Sequence, residues 1–291
     1  MNGNSDELQR AYLDSLGIEW RHTTACDATT ECEIFGKKLR TPVMCGGMAH
    51  YERMNKGGRV AFAEGAKEAG SVMFLGMSSN EEMEAVLATG VPAGRIIKPF
   101  ADRDKVLSLI RHDADSGCCA FAMDLDHVYR KDGSRYDFFG DPLEPQTEET
   151  LRLYASCSEL PFYPKGILSV YDAETCLRAG CEGIIISHHQ NMFPWCPPPL
   201  KVLQDVRRAL GREIRILIDS DFETGYDVFK ALALGADGVF IARSLRSDFT
   251  EKGAAGVTAH LNRVTDELRG CLAKTGSNDI GHIDPTCIVR L

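Results

Sequence analysis

The residues able to do chemistry fall in short clusters along the chain. The second half carries Lys165, Ser187-His188-His189, Asp219-Ser220-Asp221-Phe222-Glu223 and Ala242-Arg243. The first half carries Gly46-Gly47, Ser78-Ser79, Lys98, Asp124 and Asp126-His127. An imidazole, with an ordinary pKa of about 6.5, suits a general base at neutral pH. Lysine and arginine hold anionic groups, and paired glycines let a ligand approach the backbone. Asp124, Asp126, His127, His188, His189, Asp219, Asp221 and Glu223 also form an oxygen and imidazole collection of the kind that takes a hard divalent cation. Their spacing matches no defined metal motif, and no metal site is assigned.

Such clusters work only if the fold brings them to one place. Eight short apolar runs punctuate the sequence: 42–45, 72–75, 95–98, 120–123, 165–168, 183–186, 214–218 and 238–241. They are mostly uninterrupted rather than alternating, as in strands covered on both faces of a parallel sheet. A helical pattern follows each, at 60–69, 81–87, 104–112, 148–157, 173–179, 200–210, 225–234 and 257–272. Gly70, Gly117, Gly180, Gly211 and Gly235 close five of them, the residue favoured at a left-handed helix end. Eight β-α units predict an α/β chain folded as a (β/α)8 TIM barrel over 41–291, after a lead-in at 1–40. A doubly wound open sheet is the alternative. The charged and aromatic interval at about 126–164 reads as a long loop over the C-terminal mouth, where barrels keep their sites. Every cluster named above stands at a strand end, and polar residues at such ends converge on that mouth.

The 33 basic and 42 acidic residues among 291 give a net charge of −9. That balance argues against nucleic acid or an anionic membrane as partner. No apolar run approaches the roughly 18 residues of a membrane helix, and the acidic start through Glu7 does not read as a signal peptide. The 11 cysteines are odd in number and form no Cys-x-x-Cys pair. They read as reduced thiols of a cytoplasmic protein.

The segment Pro164-Lys165-Gly166-Ile167-Leu168, with Ala179-Gly180-Cys181-Glu182-Gly183-Ile184-Ile185-Ile186-Ser187-His188-His189, resembles the FMN-dependent α-hydroxy-acid oxidase and dehydrogenase family. The likeness continues through Leu217-Ile218-Asp219, Gly225 to Ala236 and Val239 to Arg243. It spans about 36 to 283. The resemblance implies a flavoprotein oxidoreductase that binds FMN, acts on CH–OH or CH–NH groups of a small molecule and assembles as a homotetramer. It implies His189 as the proton-abstracting base, Asp219 as its orienting carboxylate and Lys165 at the flavin edge. Arg243 would meet the FMN phosphate, with Gly46, Gly47, Ser78, Lys98, Asp124, Asp221 and Ala242 around the cofactor.

Several positions depart from the family. Gln190-Asn191-Met192 stands where the family has Gly-Gly-Arg, so the arginine that clamps the substrate carboxylate is read as absent and the substrate as non-standard. Asp221 and Glu223 replace a glycine and an arginine near the phosphate, where carboxylates repel a dianion. The N-terminal helix that carries the family's substrate-binding tyrosine reads as missing. These departures leave an alternative, a degenerate barrel that has lost FMN and binds a small cationic ligand or a divalent metal at the same mouth.

Overall fold

The computed structural model describes residues 3–291. Eight parallel strands close into a barrel in chain order: β1 (Val43–Cys45), β2 (Met73–Gly76), β3 (Ala93–Ile97), β4 (Ala120–Asp124), β5 (Phe162–Ile167), β6 (Gly183–Ile186), β7 (Arg215–Ile218) and β8 (Gly238–Ile241). β8 returns to β1 through Val239 opposite Val43. The uninterrupted apolar runs explain the closure: all four residues of β6 are buried, since one face meets the barrel interior and the other the helices. The fifth strand begins three residues before the sequence expectation. Pro164 lies inside it, opposite Met123, and its ring masks the run to a reading that treats proline as a strand boundary.

Helix α1 (Ser5–Asp14) precedes the barrel, and a helix follows each strand: α2 (Gly58–Glu68), α3 (Asn80–Leu87), α4 (Arg103–Asp115), α5 (Glu148–Ser156), α6 (Val170–Arg178), α7 (Pro199–Leu210), α8 (Gly225–Ala233) and α9 (Leu245–Thr275). Ser79 and Thr224 start α3 and α8 with reciprocal capping boxes, which satisfy backbone donors that the first turn leaves open. α8 lies so close to α9 that a Cβ on Gly225 would stand 2.4 Å from the Leu268 backbone nitrogen. α9 bends at Gly253, whose φ of 56° interrupts the helix.

The interior is filled by side chains such as Met44, Phe74, Ile96, Tyr163, Ile185, Leu217 and Phe240. A hairpin of Cys32–Ile34 with Lys37–Leu39 seals the N-terminal end, its Phe35 ring 5.3 Å from Phe74 and 5.1 Å from Tyr163. A ligand can therefore enter the barrel only at the C-terminal mouth. The 126–164 connection contains a 3-10 turn at Leu125–His127, a hairpin of Asp137–Phe138 with Asp141–Pro142, and α5. The lead-in is not a detached segment: α1 packs on α7, and Leu16–Ile18 pairs with Ile288–Arg290 near the C terminus. All 11 cysteines are free thiols. Among the described residues, no helix is long and apolar enough to cross a membrane.

Candidate active site

Register places the site. Lys165 on β5 stands opposite Asp124 on β4, so both side chains leave the sheet at the same level. The Lys165 Nζ donates to Asp124 Oδ1 at 3.1 Å, and the Lys98 Nζ, just past β3, donates to Asp124 Oδ2 at 2.6 Å. All three side chains are at most 8% exposed. Burial alone would raise Asp124, yet the charges of Lys165 and Lys98 hold it well below the usual carboxylate range. Burial likewise pushes Lys165 down, and Asp124, Asp126 and Asp219 together outweigh it, keeping the ammonium above the ordinary lysine value.

His189 follows β6 in a strained turn. His189, Gln190 and Asn191 all take left-handed φ values, 47°, 57° and 57°. That conformation favours glycine, which accounts for the glycines of the resembling family at the second and third of these positions. The His189 Nδ1 lies 2.9 Å from Asp126 Oδ1 and 3.7 Å from Asp124 Oδ1. A carboxylate can only accept, so Nδ1 carries the proton and Nε2 keeps its lone pair for a substrate. Gly166 makes this pairing possible: at φ 93°, a Cβ there would fall 2.5 Å from the Asp126 carboxyl carbon. The His127 ring packs 4.9 Å from His189, and burial, then the charge of Lys98, pushes it down to about 4.

The expected orienting role of Asp219 does not match this geometry. Its carboxylate accepts from the Ser220 backbone at 2.7 Å and lies 3.9 Å from the Lys165 Nζ, while Asp126 holds the imidazole. Both are mouth carboxylates in sequence. Only the 3-10 turn after β4 aims Asp126 across at β6.

Gly47, Lys165, Asp219, Asp221, Ala242 and Arg243 line one cleft of about 60 Å³, and Gly46 lines a separate small pocket that shares Gly47, Lys165 and Asp219 with it. Lys98 and Asp124 join through the Lys165 contact. Ser78 lies apart: with Lys98 it lines a neighbouring cavity of about 450 Å³, and its buried hydroxyl has no hydrogen-bond partner. A third cavity of about 350 Å³ opens beyond Asp126, between Tyr129, Arg130 and Lys131 of the lid and Leu168, Met192 and Phe193.

The residues fit FMN at its ring. A buried lysine faces the cleft beside bare backbone, where a Cβ on Gly47 would strike Ile96 at 2.6 Å. The phosphate end is held by the chain itself. Arg243 donates to both Asp6 oxygens, Nη1 to Oδ2 at 3.2 Å and Nη2 to Oδ1 at 2.9 Å, and it also touches Asp221. Burial, opposed by Arg243 and reinforced by Asp6, pushes Asp221 up to about 7. Glu223 is exposed and stays off Arg243. Asp6 lies in the first turn of α1. α1 also carries Tyr12, whose hydroxyl accepts a hydrogen bond from Gln204 at 2.8 Å on the α7 side, away from the cleft. Sequence reasoning missed both Asp6 and the pairing role of Asp126. The start Asn4-Ser5-Asp6-Glu7 carries a helix-cap signature that would have revealed the helix.

Asp124 with His127 and His189, and Asp6 with His188 and Asp221, each converge closely enough to hold a metal. Cationic side chains already occupy both sets, Lys98 and Lys165 in the first and Arg243 in the second.

Comparison with known proteins favours the flavin reading over the metal or cationic-ligand alternative. The profile of the FMN-dependent dehydrogenase family matches residues 2–137 and 130–290. The chain is 26% identical to the 4-hydroxymandelate oxidase of Amycolatopsis orientalis, across 88% of this chain and 81% of that one. It is 28% identical to the glycolate oxidase of Spinacia oleracea, across 89% and 80%. A crystal structure of mandelate oxidase with (S)-2-phenylpropionate superposes with a TM-score of 0.89 at 25% identity, covering 99% of this chain and 90% of that one. The chain thus belongs to the FMN-dependent dehydrogenase family, as a flavin-dependent oxidoreductase with FMN as its cofactor.

Proposed function

We propose that the protein oxidises a non-standard 2-hydroxy acid, or its amine counterpart, that carries an apolar substituent. The observation that carries this reading is His189, held through Nδ1 on Asp126 at 2.9 Å and lining the same cleft as the buried Lys165. FMN, when bound, supplies the two-electron acceptor. His189 takes the substrate proton at Nε2, and Asp126 stabilises the imidazolium that results. Lys165 presents positive charge at the ring edge, and Asp124 fixes its position.

Met192 stands at the position the family gives to its carboxylate-clamping arginine, and a thioether cannot make a bidentate ion pair. The cavity beyond Asp126 offers Arg130 and Lys131 as cations against a wall of Leu168, Met192 and Phe193. Arg130 is pre-positioned by its stacking on Tyr136 at 4.6 Å. This set supports a substrate whose carboxylate meets the lid and whose side chain is bulky and apolar. Several relatives are named as oxidases of 4-hydroxymandelate, L-lactate and glycolate. A cytoplasmic homotetramer is the assembly we propose on the family resemblance.

The test is turnover of the FMN-loaded enzyme on glycolate and on phenyl-substituted 2-hydroxy acids. We expect the aryl substrates to be preferred, Arg130→Met to raise KM, and His189→Ala to lower kcat by about 10²–10⁴-fold with the fold intact. Preference for glycolate with an unaffected Arg130→Met would refute the substrate assignment. Unchanged turnover in His189→Ala would refute the base.

A further inference from the structure

The first turn of α1 is tied across the mouth at several points. The Ser5 backbone donates to Asn191 Oδ1 at 2.9 Å, and its hydroxyl donates to the Phe193 carbonyl at 3.0 Å, both after β6. Gln9 donates to the Ser220 carbonyl at 3.3 Å after β7, and Arg10 forms a two-pronged pair with Asp227 at 3.1 and 2.8 Å. Between these ties, Asp6 points into the end of β8 and spans the Arg243 guanidinium with both oxygens. A carboxylate and a phosphate offer the same pair of acceptors to an arginine fork, so either can occupy it.

His188 marks the same spot independently. Its side chain is 0% exposed, its Nε2 lies 3.5 Å from Asp6 Oδ1 and 3.7 Å from Asp221 Oδ2, and neither ring nitrogen has a hydrogen-bond partner. The loop beneath follows β7 through Ser220 and Asp221 at φ 92° and 59°, with the Asp221 carboxylate turned onto Arg243. An arginine, a buried donor without a partner and a left-handed turn make an anion seat, and the chain's own carboxylates fill it.

We infer that Asp6 is a tethered competitor for the FMN phosphate, so that docking of the α1 first turn and seating of the phosphate on Arg243 exclude each other. This inference rests on FMN being the cofactor of the family. Tethering gives Asp6 an effective concentration in the millimolar range, and an incoming dianion meets its carboxylate already seated on Arg243. FMN therefore binds only as Asp6 leaves Arg243. Riboflavin, which lacks the phosphate, has no need to displace it.

The test compares FMN and riboflavin binding, by quenching of flavin fluorescence, in the full chain and in Asp6→Asn. Glu7→Gln removes an exposed charge from the same turn and serves as the control. Removing the competitor should tighten FMN by roughly 10- to 100-fold, from the lost like-charge repulsion. Riboflavin and Glu7→Gln should stay within about twofold of their references, and inorganic phosphate should displace FMN from Asp6→Asn. Hydrogen exchange supplies a second reading: FMN should speed exchange of the Ser5–Leu8 amides in the unaltered protein. Equal FMN affinity with and without Asp6 would overturn the inference while leaving the family's cofactor in place. Equal tightening of riboflavin would overturn it too, as a general opening. If no protein of the set binds FMN, no phosphate seat lies under Asp6, and the cofactor assignment falls with the inference.

Discussion

Asp124→Asn tests the electrostatic centre of the mouth. The Asp124 carboxylate faces two lysines at 2.6 and 3.1 Å, in surroundings where no partner is more than 8% exposed. Asparagine keeps the shape and removes the charge. Its amide can accept from one lysine but turns an N–H₂ toward the other, leaving a buried ammonium without compensation. Breaking a buried pair in this way costs about 3–5 kcal/mol. With an unfolding entropy of about 2.1 cal/mol/K per residue, the melting temperature should fall by roughly 5–8 °C. The pH dependence gives a sharper check. The folded pKa of Asp124 is depressed, so its contribution is present above the ordinary carboxylate value of 3.8 and is lost only as pH falls below it. Thermal melts of both proteins should run parallel from pH 8 to 5 and converge only under stronger acid. A melting difference below about 2 °C at pH 7, or convergence already between pH 7 and 5, would refute the reasoning.

Two further outcomes follow from the β6 turn and its partner. Asp126→Asn should lower kcat of the FMN-loaded enzyme by more than tenfold and shift its pH profile, because the imidazolium loses its counter-charge; Asp219→Asn should do less, and the reverse order would restore Asp219 as the orienting group. Gln190→Gly relieves a left-handed non-glycine at φ 57° and should stabilise the fold by about 1 kcal/mol in denaturant unfolding; a loss of stability would mean that the side chain makes a contact worth more than the strain.

Much of the fold was legible in the chain before folding. The eight apolar runs, each followed by a helical pattern, sit where the strands and helices are, because a strand buried on both faces must be apolar at every position. Gly70, Gly117, Gly180, Gly211 and Gly235 all take the positive φ expected after a helix end. Polar clusters at strand ends were legible for the same reason, and Gly47, Lys165, Asp219, Asp221, Ala242 and Arg243 do share a cleft. These signals are local: a residue's burial and handedness follow from its immediate neighbours.

Pairing between clusters was not legible. The sequence by itself set which residues reach the mouth, including His189, Asp126 and Asp219, and a family resemblance then favoured Asp219 as the partner of the histidine. Tertiary structure decided for Asp126, because a 3-10 turn after β4 and the missing Cβ of Gly166 let a carboxylate 63 residues away reach Nδ1. It also decided what covers Arg243. Asp6 lies 237 residues from that arginine, and no periodicity links them. Their meeting depends on barrel closure and on α1 docking across the loops after β6 and β7, and only the folded chain brings those surfaces together.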